Sequence, residues 1–96
     1  MLSNEEIEKS IATELNREWE LKDGKLAKSF QFSSFIDSID FVNEVAKIAE
    51  MLDHHPIITI NWKTVKLSLK SFDVNAITKR DIVLAKEVEN RLRSKM

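Results

Sequence analysis

Two adjacent histidines, His54 and His55, are the only imidazoles in the chain, and imidazole is the side chain best matched to proton transfer near neutral pH. They lie in Glu50-Met51-Leu52-Asp53-His54-His55-Pro56, where an apolar helical pattern stops. Two imidazoles at a fixed helix end suggest acid–base work. The plainer alternative is a pair of solvated turn residues, which spacing alone does not exclude. A metal centre fits less well, because sequence neighbours rarely chelate one ion and zinc would need carboxylates such as Asp53 to complete its shell. Asp81 stands three residues after Thr78, where a capping box satisfies free helix amides. Glu50 sits on the last turn of a helix, where the macrodipole disfavours negative charge. That placement suggests a binding role or a solvated side chain paired with Lys47.

The rest of the composition removes alternatives. The 96 residues include no cysteine, one glycine and one proline. Thiolate nucleophiles, disulfides and cysteine zinc sites are therefore excluded. One glycine cannot build the phosphate-cradling loops of Walker or dinucleotide sites. Fifteen basic against sixteen acidic residues give a net charge of −1, and a general nucleic-acid binder would be more basic. No run of about 18 apolar residues could span a membrane, and the start, MLSNEEIEKS, has neither a basic opening nor an apolar stretch. The expectation is a cytoplasmic protein of one domain, residues 1–96, with no membrane or nucleic-acid partner.

These residues need elements to position them. Ser3 and Glu6 form a capping-box pattern, and Ile7, Ile11 and Leu15 recur at helical spacing to about Leu15. Trp19 and Leu21 then alternate with polar residues, Asp23-Gly24 supplies a type I′ hairpin pair, and Leu26, Phe30 and Phe32 continue the alternation. From Ser33 or Ser34 the period becomes helical. Phe35, Ile39, Val42, Ala46 and Ala49 form one stripe, and Phe41, Val45, Ile48 and Leu52 widen it, which predicts a helix buried along a broad face as far as Asp53. Pro56 cannot continue it.

Ile58, Ile60 and Trp62, then Val65, Leu67 and Leu69, predict two more strands joined around Lys63-Thr64. Trp19 and Trp62 are expected as core aromatics, and Lys63, Lys66 and Lys70 as a solvated face able to attract an anion. Thr78 opens the last helix, which carries Ile82, Ala85, Val88 and Leu92 inward and ends in Arg91, Arg93 and Lys95. The predicted class is α+β: a single domain, αββαββα, with a four-stranded antiparallel sheet and the helices packed on one face. A four-stranded sheet has two edges, and the Lys66–Lys70 strand is long enough to pair with another copy, so the expectation includes an oligomer built through edge strands or helix packing.

From Trp19 to Leu92 the sequence resembles the pterin-4a-carbinolamine dehydratase family, known in animals also as the dimerisation cofactor of a hepatocyte homeodomain transcription factor. The resemblance lies in the Asp23-Gly24 hairpin, Phe30-Gln31-Phe32, Ala49-Glu50-Met51-Leu52-Asp53-His54-His55-Pro56, Leu67-Ser68-Leu69 and Ile77-Thr78-Lys79-Arg80-Asp81. It implies a lyase, a homodimer or homotetramer, that removes water from a 4a-hydroxytetrahydropterin to give the quinonoid dihydropterin, without metal or other cofactor. Carried over by position, His54 is an acid–base residue, His55 also binds and orients the pterin, and Glu50 and Asp81 line or hold the site. Three positions depart from the family pattern. Phe72 replaces a third histidine, Ala76 a usual glycine and Trp62 a usual tyrosine. Phenylalanine transfers no proton, so part of an acid–base contribution of order 10²–10⁴ is at stake. The alternative the resemblance leaves is a noncatalytic pterin binder or an oligomeric interaction module of the same fold.

Overall fold

A computed structural model describes residues 1–15 and 18–94. Helix α1 spans Asn4–Glu14, strands β1 and β2 Glu20–Lys22 and Lys25–Gln31, helix α2 Phe35–Leu52, strands β3 and β4 Ile57–Asn61 and Thr64–Leu69, and helix α3 Lys79–Ser94. This is the αββαββα order. Lys95 lies outside the described residues, as does the side chain of Arg93. No described helix is long and apolar enough to cross a membrane.

The local signals act as their chemistry requires. The Ser3 hydroxyl accepts the Glu6 amide while the Glu6 side chain takes the Ser3 amide, a complete capping box. Those bonds to Ser3 hold the Glu6 carboxyl below its ordinary value. Asp23 and Gly24 both adopt positive φ, 52° and 72°, between the paired Lys22 and Lys25, as a type I′ turn demands.

The antiparallel sheet has the order β1-β2-β4-β3. Leu26, Lys28 and Phe30 of β2 pair with Leu69, Leu67 and Val65 of β4, and Ile58 and Ile60 of β3 pair with Leu67 and Val65. On the face they share, Leu26, Phe30, Val65, Leu67 and Leu69 join Ile7 and Ile11 of α1, Phe41, Val45 and Ile48 of α2, and Ile82, Ala85 and Val88 of α3 in one buried cluster; Ile58 packs against it, while Ile60 remains exposed. Phe30 and Phe41 lie 4.8 Å apart between ring centroids, and Trp19 meets Phe30 edge-on at 5.9 Å. Lys28 points inward because Glu89 reaches its ammonium at 2.6 Å and also accepts the Trp19 indole N–H at 2.8 Å. A buried lysine needs such a partner.

Three expectations are corrected. Strand β4 is central, flanked by β2 and β3, so the Lys66–Lys70 segment offers no free edge; the edges belong to β1 and β3. Trp62 is not a core aromatic. Asn61 pairs with Thr64, which makes Trp62-Lys63 the turn; Trp62 takes φ 54°, is 65 % exposed and lies under the Lys63 ammonium. On α2 the widening set is the buried one: Phe41, Val45 and Ile48 face the core with Leu52 partly buried against it, and of the first stripe only Ala49 is buried with them. Phe35 and Ala46 are exposed, and Ile39 and Val42 are only half-buried.

The contrast between two apolar residues of the second hairpin is testable by urea denaturation. Leu67→Ala, at a fully buried central position, should cost about 2–5 kcal/mol. Trp62→Asn should cost nothing or stabilise by up to about 1 kcal/mol, because asparagine tolerates the left-handed region better than a bulky side chain.

Candidate active site

The end of α2 fixes the first histidine through its backbone. Asp53 adopts φ 51° and ψ 45° and gives its amide to the Ala49 and Glu50 carbonyls, while the His54 amide closes onto Ala49 at 3.0 Å. This is a Schellman closure with aspartate in the position glycine usually fills. Pro56 follows, and β3 starts at Ile57. Because Ile57 pairs with Ser68 of β4, the chain entering β3 runs beside the chain leaving β4. That leaving segment closes in a tight loop: Ser71 and Ala76 exchange backbone bonds at 2.9 and 3.2 Å around residues 72–75. Asn75, at φ 53°, takes the left-handed position, whereas Ala76 does not have positive φ. Ala76 therefore needs none of the conformational freedom that glycine supplies.

His54, this loop and the start of α3 converge on one carboxylate. Asp81 is fully buried. Its Oδ1 meets His54 Nε2 at 2.6 Å, and its Oδ2 accepts the Ser71 hydroxyl at 2.9 Å and the Thr78 amide at 3.0 Å. Asp81 is thus both a helix cap and a partner of the imidazole. Half of the expected capping box is rearranged: the Thr78 hydroxyl accepts the Arg80 amide at 3.2 Å rather than that of Asp81. Since a carboxylate only accepts, His54 Nε2 is the donor in this contact, and in the neutral imidazole Nδ1 is then the bare nitrogen. Among the described residues no buried side-chain nitrogen or oxygen lacks a partner, so Nδ1, which bonds to no protein group, reaches the surface of a residue otherwise 8 % exposed.

His55 occupies a different environment. Its Nε2 meets Glu50 Oε2 at 2.5 Å, one turn back on α2, and both side chains are exposed. Glu50 is therefore not paired with Lys47, whose ammonium meets Glu44 at 3.1 Å. Phe72 follows Ser71 and is 56 % exposed, with the Lys70 ammonium 5.9 Å from its ring centroid. Among the described residues no three metal-binding side chains converge. A cleft of about 460 Å³ lies at the other end of α2 and α3, and neither histidine, Glu50, Asp81 nor Phe72 lines it. Its lining includes Asp37, Asp40 and Glu44, but no imidazole.

Residues 1–91 match the sequence model of a family described as pterin 4 alpha carbinolamine dehydratase. The chain belongs to this family. A protein of Mycolicibacterium vanbaalenii, provisionally named pterin-4-alpha-carbinolamine dehydratase, is 39 % identical over 92 residues, covering 96 % of this chain and 97 % of its own. One of Rickettsia canadensis, named in the same way, is 35 % identical over 92 residues, covering 95 % and 84 %. The fold is similar to that of a transcriptional coactivator/pterin dehydratase from Brucella melitensis, with a TM-score of 0.84 and 27 % identity over 93 % of this chain and 95 % of that one. These matches extend the likeness toward the N-terminus, beyond the Trp19–Leu92 region that carries the family motifs.

The sequence singled out His54, His55, Glu50, Asp81 and Phe72. The structure brings His54 together with Asp81 and His55 together with Glu50, in two separate pairs. It adds Ser71, the residue before Phe72, which the sequence pattern does not single out. Its one available signal was a serine where an inward strand position, Leu67, Leu69, Ser71, turns from apolar to hydroxyl.

The Ser71–Ala76 loop is also clamped to α3, since the Arg80 guanidinium donates to both Asp73 oxygens at 2.8 and 3.1 Å. That bond holds the Asp73 carboxyl below its ordinary value of 3.8. A carboxyl depressed in the folded state stabilises the fold above its unfolded pKa, and this contribution is lost as pH falls through the folded one. Side-chain NMR titration should find the Asp73 midpoint below 3.8 and see it rise in Arg80→Ala. An unchanged midpoint would show that the clamp does not persist in solution.

Proposed function

We propose that the protein dehydrates pterin-4a-carbinolamine, a 4a-hydroxytetrahydropterin, to the quinonoid dihydropterin, with His54 as the acid–base group. The observation that carries this reading is the 2.6 Å contact between His54 Nε2 and buried Asp81, which leaves Nδ1 open. The carboxylate orients the ring and stabilises the imidazolium that forms when Nδ1 takes a proton, as in other aspartate–histidine pairs.

The reaction breaks one carbon–oxygen bond and removes one N–H proton from the ring. The electron pair left on nitrogen forms the new carbon–nitrogen double bond, and the hydroxyl departs as water once protonated. His54 takes the ring proton at Nδ1 and, as imidazolium, can return it to the leaving oxygen, so it can take part in both transfers. His55, exposed and tied to Glu50, contributes to proton transfer and orients the pterin. Glu50 sets the direction of the His55 ring, and Asp81 that of His54. No metal or redox cofactor is required by this balance.

A noncatalytic pterin-binding or interaction role is the second reading, and the observation favouring it is Phe72 in place of a histidine. A stopped-flow assay on freshly generated 4a-hydroxytetrahydropterin separates the two. Acceleration over buffer is expected, with His54→Ala losing about 10²-fold or more and Phe72→His raising the rate. No acceleration by the wild-type chain would sink the enzyme reading.

The same reading includes a cytoplasmic homodimer or homotetramer. Its support is the apolar surface that the monomer leaves on α2, exposed Phe35, Ile36 and Ala46 beside half-buried Ile39, since an apolar helix face of this kind is usually covered. Light scattering should give a mass of at least twice 11.1 kDa, falling to that of the monomer in Ile39→Glu. A wild-type monomer would remove the oligomer from the proposal.

A further inference from the structure

We propose that Ser71 is a positioning residue for His54: with Thr78 it fixes which imidazole nitrogen carries the proton, and so which one meets the substrate. The inference rests on the reading of His54 as the acid–base group and deepens it. Ser71 is fully buried beneath the turn that exposes Phe72, and its hydroxyl lies within hydrogen-bond distance of both Thr78 Oγ1, at 2.7 Å, and Asp81 Oδ2, at 2.9 Å.

The proton positions in this chain of contacts follow from counting donors. The Arg80 amide can only donate, and it points at Thr78 Oγ1. Asp81, as a carboxylate, can only accept, so Ser71 commits its single proton to Oδ2. The proton in the 2.7 Å contact must then come from Thr78, leaving Ser71 as acceptor there. Oδ2 has two donors, Ser71 Oγ–H and the Thr78 amide, and Oδ1 is turned to His54 Nε2. The sequence of donors runs from the α3 backbone through two hydroxyls to the carboxylate, and each hydroxyl has one orientation available to it. Its far end is an Nε2–H tautomer of His54 with the lone pair on Nδ1.

Ser71 is the member of this chain that holds the carboxylate from the side away from the helix. Without its hydroxyl, Oδ2 keeps only the Thr78 amide, on the same element as Asp81 itself. The carboxyl group then has no bond across to the β4 loop, and its plane can turn. A hydrogen bond to a charged group is worth more than a neutral one, and at a fully buried position water does not readily replace it.

The test reads the tautomer directly and does not require turnover. In long-range 1H–15N spectra of uniformly labelled protein at alkaline pH, where imidazole is neutral, wild-type His54 should show a protonated Nε2 and a bare Nδ1. Ser71→Ala should give a mixture of tautomers or loss of the protonated Nε2 signal, and Ser71→Thr, which keeps the hydroxyl, should restore the wild-type pattern. In the dehydration assay Ser71→Ala should lower kcat by about tenfold with KM within about twofold, and Ser71→Thr should recover it. A wild-type spectrum with the proton on Nδ1 overturns the proposal, and needs no variant to fold. So does a folded Ser71→Ala protein whose tautomer and kcat match wild type. If the chain proves inactive toward the carbinolamine, the spectra still decide the role of Ser71, so the two failures are distinguishable.

Discussion

The buried carboxylate of Asp81 is the constraint around which this end of the molecule is arranged. A carboxylate taken out of water is costly unless its oxygens find donors. Here the donors come from three places: the imidazole at the end of α2, the hydroxyl of the loop after β4, and the amide that opens α3. Each of those elements is held to the others through one side chain. The position of Asp81 in the first turn of α3 also sets its charge against the positive end of the helix dipole. A residue that sequence pattern assigns to capping is therefore the centre of the site, and the two roles use different oxygens. Oδ2 serves the cap and Ser71, while Oδ1 serves His54.

That convergence depends on the strand order. Because β4 lies between β2 and β3, the loop that follows it emerges from the middle of the sheet, beside the chain that enters β3 from α2. An order with β4 at an edge would not bring Ser71 between His54 and α3 in this way. The central strand is fully apolar on its inner face, with Val65, Leu67 and Leu69 buried, so its register against β2 and β3 cannot slip without turning that face to water. The hydrophobic packing of β4 and the polar contacts of Asp81 are consequently one argument: the first places the loop to within a hydrogen-bond length, and the second uses it.

Much of this was legible in the residues. Local chemistry wrote the ends of elements plainly: Ser3 with Glu6, Asp23-Gly24, and Pro56 after two histidines each specify a backbone geometry by their own side chains. The order of elements and their α+β class followed from those signals, and the family likeness pointed to His54 and Asp81, which the fold brings into contact. What periodicity could not supply was partnership between distant elements. The α2 stripe is broad enough to be buried in either of two rotations, and only the packing of α3 and the sheet chose Phe41, Val45 and Ile48 over Phe35 and Ala46. Trp62 continues a perfect alternation, yet the pairing of Asn61 with Thr64 makes it a turn residue. Alternation has no means of showing where a strand stops when neither glycine nor asparagine marks the turn. Ser71 was invisible for the same reason, since its importance lies wholly in Asp81 and Thr78.

The two histidines illustrate how one dipeptide acquires two environments. They share a helix end and a nearby carboxylate apiece, but successive residues leaving a Schellman turn point in different directions. One ring falls inward onto a fixed, fully buried acid, and the other stays outside with Glu50 on a solvated helix face. A buried pair holds its geometry because each partner has nowhere else to bond, whereas an exposed pair competes with water and salt and can release its imidazole to a ligand. The inner histidine is thus suited to a reaction step that needs a preset proton position, and the outer one to binding that needs adjustment. Phe72, exposed on the loop that Ser71 anchors, has no titratable proton to offer, so of the three side chains only the two imidazoles can move one near neutral pH, and only that of His54 is held by a buried acid.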